Sequence, residues 1–409
     1  MINRQFLPLY LIGLYPLALT VGTLISELIT FSLIVIFIIH CVIDKKIHFD
    51  RDPIIYFLLF IWLYLLLNLL ISIDFQLSLN RSIFFIRYPL LLLSICYFIN
   101  KYSENLEIIF KIWMVTLIIS IIDLYIQFFF GENLLGFKSP NPRRLSGFFN
   151  QELKVAHLLI GFFLPTFGFF LQKNQKNYPL YLILFLYFVI LILTNERANI
   201  LRGVFALMIF SILIPHFRFK FKIIFSTMAL GIFALILIFV KPVNQRFIYE
   251  IGALDRSIKD KNLWNYVIMS NYGPHYLASI EVFKSNKYFG TGVKTFRKAC
   301  KNISLKKFYP ENDNRNFLRC STHPHQYYFE FLSDLGLIGF LILLSFFFYL
   351  FVRVVNSYYL FKNLVFLTSG IFIFVQLIPL LPTGSFFTSF GSTIFFINLS
   401  LFYTFIKKK

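Results

Sequence analysis

Runs of apolar residues, each about as long as a membrane-crossing helix, follow one another along almost the whole chain. A helix needs about 20 apolar residues to cross a bilayer, because the hydrocarbon core is about 30 Å thick and each residue rises about 1.5 Å. We count about 12 such runs by this criterion. Two lie within 8–42, and the others are approximately 53–73, 83–99, 108–130, 155–171, 179–193, 200–215, 223–240, 335–355, 364–381 and 386–406. The pattern predicts an all-α polytopic membrane protein.

Composition agrees with this interpretation. Hydrophobic residues make up 58% of the chain and charged residues only 14%, whereas a soluble domain has about 25% charged residues. These values argue against a soluble enzyme and against a disordered scaffold. The net charge of +20 would suit a protein that binds nucleic acid, but the lysines and arginines lie between the apolar runs and form no basic domain. We therefore expect no nucleic-acid partner.

The positions of the basic residues predict which side of the membrane each loop faces, because lysine and arginine are enriched in cytoplasmic loops. They occur in alternate gaps between the runs, at Lys45, Lys46, Lys101, Lys173, Lys176, Arg218, Lys220, Lys222, Arg353, Lys362 and Lys407 to Lys409. Both termini are therefore predicted to be cytoplasmic, with one large exterior loop between spans 9 and 10. We divide the chain into spans 1 to 9 (1–240), the loop region (241–333) and spans 10 to 12 (334–409).

Two histidines, His323 and His325, stand immediately before the tenth predicted span. A histidine at such a boundary can be neutral near pH 7 and can accept a proton. The pair could instead bind zinc, but no third and fourth ligand occurs at a suitable spacing, so we expect no metal. A passive hydrogen-bonding role is the commoner alternative. Glu330 and Asp334 are the other candidate bases, and we rank them lower because helix capping or ion pairing would account for them.

Several arginines lie on the predicted exterior side, where positive charge is disfavoured. The planar guanidinium group matches the oxygens of a phosphate, and charges inside membrane spans usually face a bundle interior or an aqueous cavity. The alternatives are contact with lipid headgroups and pairing with Glu152 or Glu196. Taken together, the arginines indicate an anionic ligand. They are Arg87, Arg143, Arg144, Arg197 and Arg202.

The loop region contains two of the four cysteines, Cys300 and Cys320. A disulfide between them is plausible in an oxidising compartment, where it would contribute about 3 kcal/mol to stability. Two free thiols are the alternative. The nearby Gly290-Thr291-Gly292 sequence lacks the full spacing of a phosphate-binding loop and is interpreted as a turn.

Three stretches together resemble the bacterial O-antigen ligase and O-antigen polymerase superfamily. They are RLSGFFNQELKVAHLL (144–159), TNERANILRG (194–203), and GTGVKTFRKAC (290–300) followed by CSTHPHQYYFEFLSDLGLIGF (320–340). Gln326 departs from the family pattern, in which an asparagine commonly follows the histidine; its amide can make similar hydrogen bonds. The resemblance implies a GT-C-like fold in the bacterial inner membrane, with the active site facing the periplasm.

The same resemblance implies a metal-independent glycosyltransferase of lipopolysaccharide biosynthesis that needs no cofactor. Its donor would be a glycan on undecaprenyl diphosphate, and its acceptor a sugar hydroxyl, commonly on lipid A–core. His325 matches the catalytic histidine, and Arg144 and Arg197 match positions associated with the donor diphosphate. Arg87 and Arg143 are assigned to the diphosphate with them, and His323 and Glu152 to supporting roles.

Three other functions remain open at this point. A polysaccharide polymerase would use the same donor with a second lipid-linked glycan as acceptor. A secondary transporter or flippase would also fit about 12 spans, but transporters place coupling charges near the bilayer midplane, often in paired halves. Here the charges lie toward the predicted exterior and no internal duplication is evident. A purely structural membrane subunit would leave the arginines unexplained.

Overall fold

The computed structural model describes residues 4–46, 48, 51–215, 218–258 and 260–406. Within these ranges the chain is helical and contains no β-strand, which confirms the all-α prediction. Lys407 to Lys409, used in the topology prediction, lie outside the described residues. The α-helices are α1 (Leu7–Gly13), α2 (Tyr15–Val21), α3 (Thr23–Ile43), α4 (Pro53–Leu70), α5 (Phe75–Ile83), α6 (Arg87–Lys101), α7 (Glu107–Phe130), α8 (Val155–Lys173), α9 (Tyr178–Leu193), α10 (Arg197–Leu213), α11 (Phe219–Phe239), α12 (Lys241–Asn244), α13 (Glu250–Ser257), α14 (Leu263–Met269), α15 (Gly273–Ser285), α16 (Phe296–Ala299), α17 (Tyr327–Asn356), α18 (Leu364–Gln376) and α19 (Ser389–Ile406).

Eight helical segments in the described part of the chain are long and apolar enough to cross a membrane. They are Thr23–Ile43, Pro53–Leu70, Phe75–Lys101, Ser103–Phe130, Val155–Lys173, Lys222–Phe239, Tyr327–Asn356 and Ser389–Ile406. Helices α9 and α18 are apolar but shorter. The chain is therefore a polytopic membrane protein, and the number of about 12 spans stays a prediction.

The centre of the bundle is formed by α8, α18 and α19, which pack against one another and against α6 and α10. Two glycines of α8 permit this close approach. A Cβ atom at Gly161 would lie 2.2 Å from Ile394 Cγ2, and one at Gly168 would lie 2.8 Å from Leu364 O. Lipid tails are as apolar as the helices, so close van der Waals packing through small residues is a main source of helix association in membranes.

Helix α17 is broken at Gly336, which has φ 67° and ψ −164°. At this break the backbone groups of α17 form hydrogen bonds with residues 287–292 instead of within the helix. Leu337 N donates to Lys287 O (2.8 Å), and Gly292 N donates to Asp334 O (2.8 Å). Gly290 has φ 72°, and a Cβ atom there would lie 2.5 Å from the Asp334 carbonyl. The predicted turn at Gly290 to Gly292 therefore also packs against the backbone of α17 where the helix is broken.

The loop region packs onto the helix bundle. Helix α15 packs along α17, and Ser279 Oγ donates to Phe329 O (2.5 Å). Cys300 and Cys320 are joined by a disulfide with their Cα atoms 5.4 Å apart, and Cys300 is buried with Ala278 and Phe296. The predicted boundary at 333/334 falls inside α17, just before Gly336. The segment that carries His325 therefore continues directly into a membrane-crossing helix.

Candidate active site

His325 lies just before α17, and its backbone is held on both sides. Thr383 N donates to His325 O (2.7 Å). The next residue, Gln326, caps α17 because its side-chain oxygen accepts from Tyr328 N (2.7 Å) and Phe329 N (3.3 Å). His325 has φ 60°, a left-handed conformation that a residue with a side chain rarely adopts unless its surroundings impose it. The amide of Gln326 thus has a structural task that an asparagine side chain could also perform.

The imidazole of His325 is surrounded by two further histidines and a tyrosine. The ring centroids of His323, His275 and Tyr272 lie 4.3, 5.0 and 5.6 Å from that of His325. Ser321 Oγ is 3.0 Å from His325 Nε2. His275 belongs to α15, and only the packing of α15 on α17 brings it to the site. It was missed in the sequence because no local pattern distinguishes it.

The environment keeps His325 unprotonated near neutral pH. Burial, and then the nearby His275 and the Lys294 ammonium, together lower the pKa of His325 to about 4. A neutral imidazole can accept a proton from a substrate. In the described part of the chain, no group of three or more potential ligands is arranged to hold a metal ion.

A second group of side chains, which we call the arginine cluster, consists of Arg143, Arg144, Arg197 and Arg246 with Glu196 and Glu250. One carboxylate, that of Glu250, holds two of the arginines: Arg197 Nη2 lies 3.1 Å from Oε2 and Arg143 Nη1 lies 3.3 Å from Oε1. Arg144 Nη2 lies 3.9 Å from Glu196 Oε2. The structure therefore brings together three of the four arginines that the sequence analysis assigned to a diphosphate.

Asn195 joins the chain segments that carry the arginine cluster. Its side-chain nitrogen donates to Arg143 O (2.8 Å) and to Pro242 O (2.9 Å), and its φ of 57° closes the turn between α9 and α10. Leu145 N also donates to Thr194 O (3.3 Å). Asn195 thus joins two segments, at Arg143 and at Pro242, that each lie about 50 residues from it in the sequence.

Arg246 was missed in the sequence analysis, where it is one of many basic residues of the loop region. Burial, and then the neighbouring guanidinium groups of Arg197 and Arg144, together lower its pKa to about 10. The Nε atoms of Arg144 and Arg246 are buried without a hydrogen-bond partner. Four guanidinium groups face two carboxylates, so the arginine cluster carries excess positive charge and unpaired donors, as a phosphate-binding site does.

A cavity of about 610 Å³ opens beside the arginine cluster. Its lining combines charged, amide and aromatic side chains, including Arg143, Lys241, Asn244, Tyr249 and Glu250. The volume lies within the range of about 300–1,000 Å³ that is usual for small-ligand sites.

Tyr272 links the arginine cluster with the histidines. Its ring is in contact with that of His325 (5.6 Å between centroids), and it is close enough to Arg246 to oppose the lowering of the Arg246 pKa. His325 and the arginine cluster therefore both lie near Tyr272, although they come from different parts of the chain.

Comparison with known protein families bears directly on this arrangement. Residues 182–344 match the family model described as O-antigen ligase. This region is therefore similar to the O-antigen ligase family. The resemblance seen in the sequence is thereby confirmed. A search of curated proteins returned no match.

The O-antigen ligase match includes part of the site and leaves part outside. His325, His275, Arg197 and Arg246 lie within residues 182–344, whereas Arg144 precedes them. Arg143 and Arg144 join the site through the contacts of Asn195 and Glu196, which lie inside the matched region.

Two other residues predicted for the site, Arg87 and Glu152, have different surroundings. Arg87 Nη2 pairs with Glu27 (3.1 Å), and its guanidinium lies over the Tyr88 ring (4.6 Å). Glu152 is 62% exposed and pairs with Lys154. The contacts described for these two residues do not include the arginine cluster, and their assignment to the site stays a prediction.

The two carboxylates considered as alternative bases are occupied by structural hydrogen bonds. Glu330 accepts from Phe386 N (2.7 Å) and from the Ser385 hydroxyl. Asp334 accepts from Lys294 N (2.8 Å) and Phe296 N (3.1 Å). Because both groups are buried and bonded to the backbone, His325 is the better placed proton acceptor.

Proposed function

We propose that the chain is an O-antigen ligase-like glycosyltransferase that moves a glycan from undecaprenyl diphosphate to a sugar hydroxyl, with lipid A–core as the acceptor. The observation that supports this best is that Tyr272, whose ring contacts the neutral His325, also lies within electrostatic range of Arg246 in the arginine cluster. The O-antigen ligase match over residues 182–344 supports the same reaction class.

In the proposed reaction His325 is the general base. The acceptor hydroxyl gives its proton to the imidazole while its oxygen bonds to the anomeric carbon of the donor sugar. The bond from that carbon to the diphosphate oxygen breaks, and undecaprenyl diphosphate leaves with the electron pair. Direct displacement inverts the anomeric centre, and a positioned base of this kind contributes about 10²–10⁴-fold in rate.

The arginine cluster supports the other half of the reaction. Negative charge builds up on the diphosphate as the glycosidic bond breaks, and preorganised guanidinium groups stabilise that charge without reorganisation. Arg144, Arg197 and Arg246 have the planar forks that match phosphate oxygens. Their carboxylate partners are fewer than the cations, so an incoming diphosphate would meet net positive charge.

We place the protein in the bacterial inner membrane with this site facing the periplasm and both termini in the cytoplasm. The basic residues between the apolar runs support this orientation. The donor would then keep its polyprenyl tail in hydrocarbon while its diphosphate lies at the membrane boundary.

The test is transfer by purified protein supplied with undecaprenyl-diphosphate-linked glycan and lipid A–core. Wild type, His325→Ala and the control His48→Ala are compared, each with and without a chelator. We expect attachment to lipid A–core that is chelator-insensitive, lost in His325→Ala and retained in His48→Ala. Extension of the lipid-linked donor would identify a polymerase instead, and full activity in His325→Ala would refute the assignment of the base.

A further inference from the structure

Arg202 is a buried arginine of α10 that the proposed reaction does not use. Its side chain is 1% exposed, and its hydrogen bonds go mainly to backbone carbonyls: Nε donates to Val375 O (3.2 Å), and Nη2 donates to Leu381 O (3.2 Å) and Pro382 O (2.6 Å). These carbonyls belong to the end of α18 and the linker between α18 and α19 (377–388). The guanidinium thus binds one specific conformation of that linker.

The linker in turn supports the backbone around His325. Thr383, which follows Pro382, donates its N–H to His325 O (2.7 Å). The Tyr328 hydroxyl donates to Leu377 O (2.7 Å), so the start of α17 is attached to the linker at a second point. Since His325 has an unfavourable positive φ, such contacts are needed to hold it in that conformation.

The opposite side of Arg202 leads to the arginine cluster. Arg202 Nη1 donates to Asn199 Oδ1 (3.0 Å), and Asn199 Nδ2 donates to Glu196 Oε2 (2.8 Å). Glu196 faces Arg144 (3.9 Å) and also accepts from Ala156 N (3.2 Å). The contacts therefore run without interruption through Arg144, Glu196, Asn199, Arg202, Pro382, Thr383 and His325.

We propose that Arg202 is a positioning residue that fixes His325 relative to the arginine cluster, which rests on the proposed function of both groups. An arginine suits this role because its rigid fork reaches an amide on one side and several carbonyls on the other. The proton acceptor and the diphosphate-binding group come from different segments. Because the buried Arg202 is hydrogen-bonded toward both, it keeps the distance between them constant. Misplacement of a reacting group by about 1 Å costs about 100-fold in rate.

The experiment compares wild type with Arg202→Met, Arg202→Lys and the control Arg353→Met, which removes a part-buried arginine that pairs with Asp52 far along α17. In Arg202→Met we expect kcat to fall about 100-fold while the donor KM changes less than about threefold, because the arginine cluster stays intact. Arg202→Lys should recover part of the lost kcat. The control should keep both constants.

Hydrogen–deuterium exchange provides a readout that is independent of activity. Peptides covering 321–326 and 377–388 should exchange faster in Arg202→Met than in wild type, while peptides covering 143–154 should not change. Unchanged exchange in the first two peptides would overturn the proposal, even if wild type proved to have no transferase activity. Wild-type kcat in Arg202→Met, or equal losses of kcat, donor affinity and thermal stability, would overturn it while leaving the transferase proposal intact.

Discussion

Glu250 provides the sharpest test of whether the arginine cluster binds a diphosphate. In the structure its carboxylate contacts one terminal nitrogen of Arg197 (3.1 Å) and one of Arg143 (3.3 Å). A donor diphosphate would need the same nitrogen atoms and would displace this carboxylate. The substitution Glu250→Gln keeps the size of the side chain and removes its charge. We therefore expect Glu250→Gln to bind the donor more tightly than wild type.

The size of the effect follows from the exposure of the groups. The Glu250 side chain is 40% exposed, and those of Arg197 and Arg143 are 29% and 51% exposed. Ion pairs of this kind contribute about 0.2–1 kcal/mol each. Two such pairs, discounted for solvent screening, amount to about 1 kcal/mol, which corresponds to about a fivefold decrease in Kd.

The assay is equilibrium binding of undecaprenyl diphosphate to protein in nanodiscs, at low and at high salt. The gain should shrink at high salt, because partly exposed charges are screened. Glu132→Gln removes a comparable loop ion pair with Lys138 (3.2 Å) and serves as the matched control, with unchanged affinity. Weaker binding by Glu250→Gln would refute the reasoning, since it would mean that Glu250 orders the arginines for the ligand instead of competing with it.

Three further predictions concern the fork geometry, the disulfide and the base. Arg144→Lys and Arg197→Lys should each raise the donor KM by about tenfold, because lysine keeps the charge and loses the bidentate fork; an unchanged KM would indicate contact with lipid headgroups. Replacing Cys300 and Cys320 with serine should lower the free energy of unfolding by about 3 kcal/mol, measured as a lower midpoint of thermal unfolding, and reduction of wild type should have the same effect. Because the pKa of His325 is lowered to about 4, kcat/KM should stay level from pH 7 down to about pH 5 and fall below about pH 4, and a decline that begins near pH 6.5 would contradict this assignment.

Much of the secondary structure could be predicted because an apolar run of sufficient length indicates a helix without any information on tertiary contacts. The predicted runs at 53–73 and 108–130 correspond to α4 (Pro53–Leu70) and α7 (Glu107–Phe130). Hydropathy does not show where contacts with distant residues interrupt a helix. The break at Gly336 depends on hydrogen bonds with the distant residues 287–292, so the predicted span at 335–355 contains no sign of it.

The candidate site was predicted in part, and the omissions have a common cause. His325, Arg144 and Arg197 stand in distinctive local sequences at predicted span boundaries, where polar residues are conspicuous. His275 and Arg246 lie in the loop region, where charged and polar residues are ordinary, and only the packing of that region brings them to the site. Arg87 is the opposite case: its sequence position suggested a site residue, whereas the structure shows an ion pair with Glu27. Glu27 is distant in sequence, so this pairing is evident only in three dimensions.

The proximity of the base and the cations has a consequence for the order of events in the proposed reaction. Without substrate, burial and then the neighbouring His275 and the Lys294 ammonium hold the pKa of His325 at about 4, so the imidazole is neutral but only weakly basic. A bound diphosphate brings negative charge to the adjacent arginine cluster and favours the protonated imidazole. Donor binding should therefore raise the pKa of His325 and make it a stronger base when the acceptor hydroxyl arrives. Since kcat/KM reports the free enzyme and kcat the donor complex, the acid limb of kcat should lie at higher pH than that of kcat/KM. Coincident limbs would mean that the diphosphate binds too far from His325 for the two sites to act together.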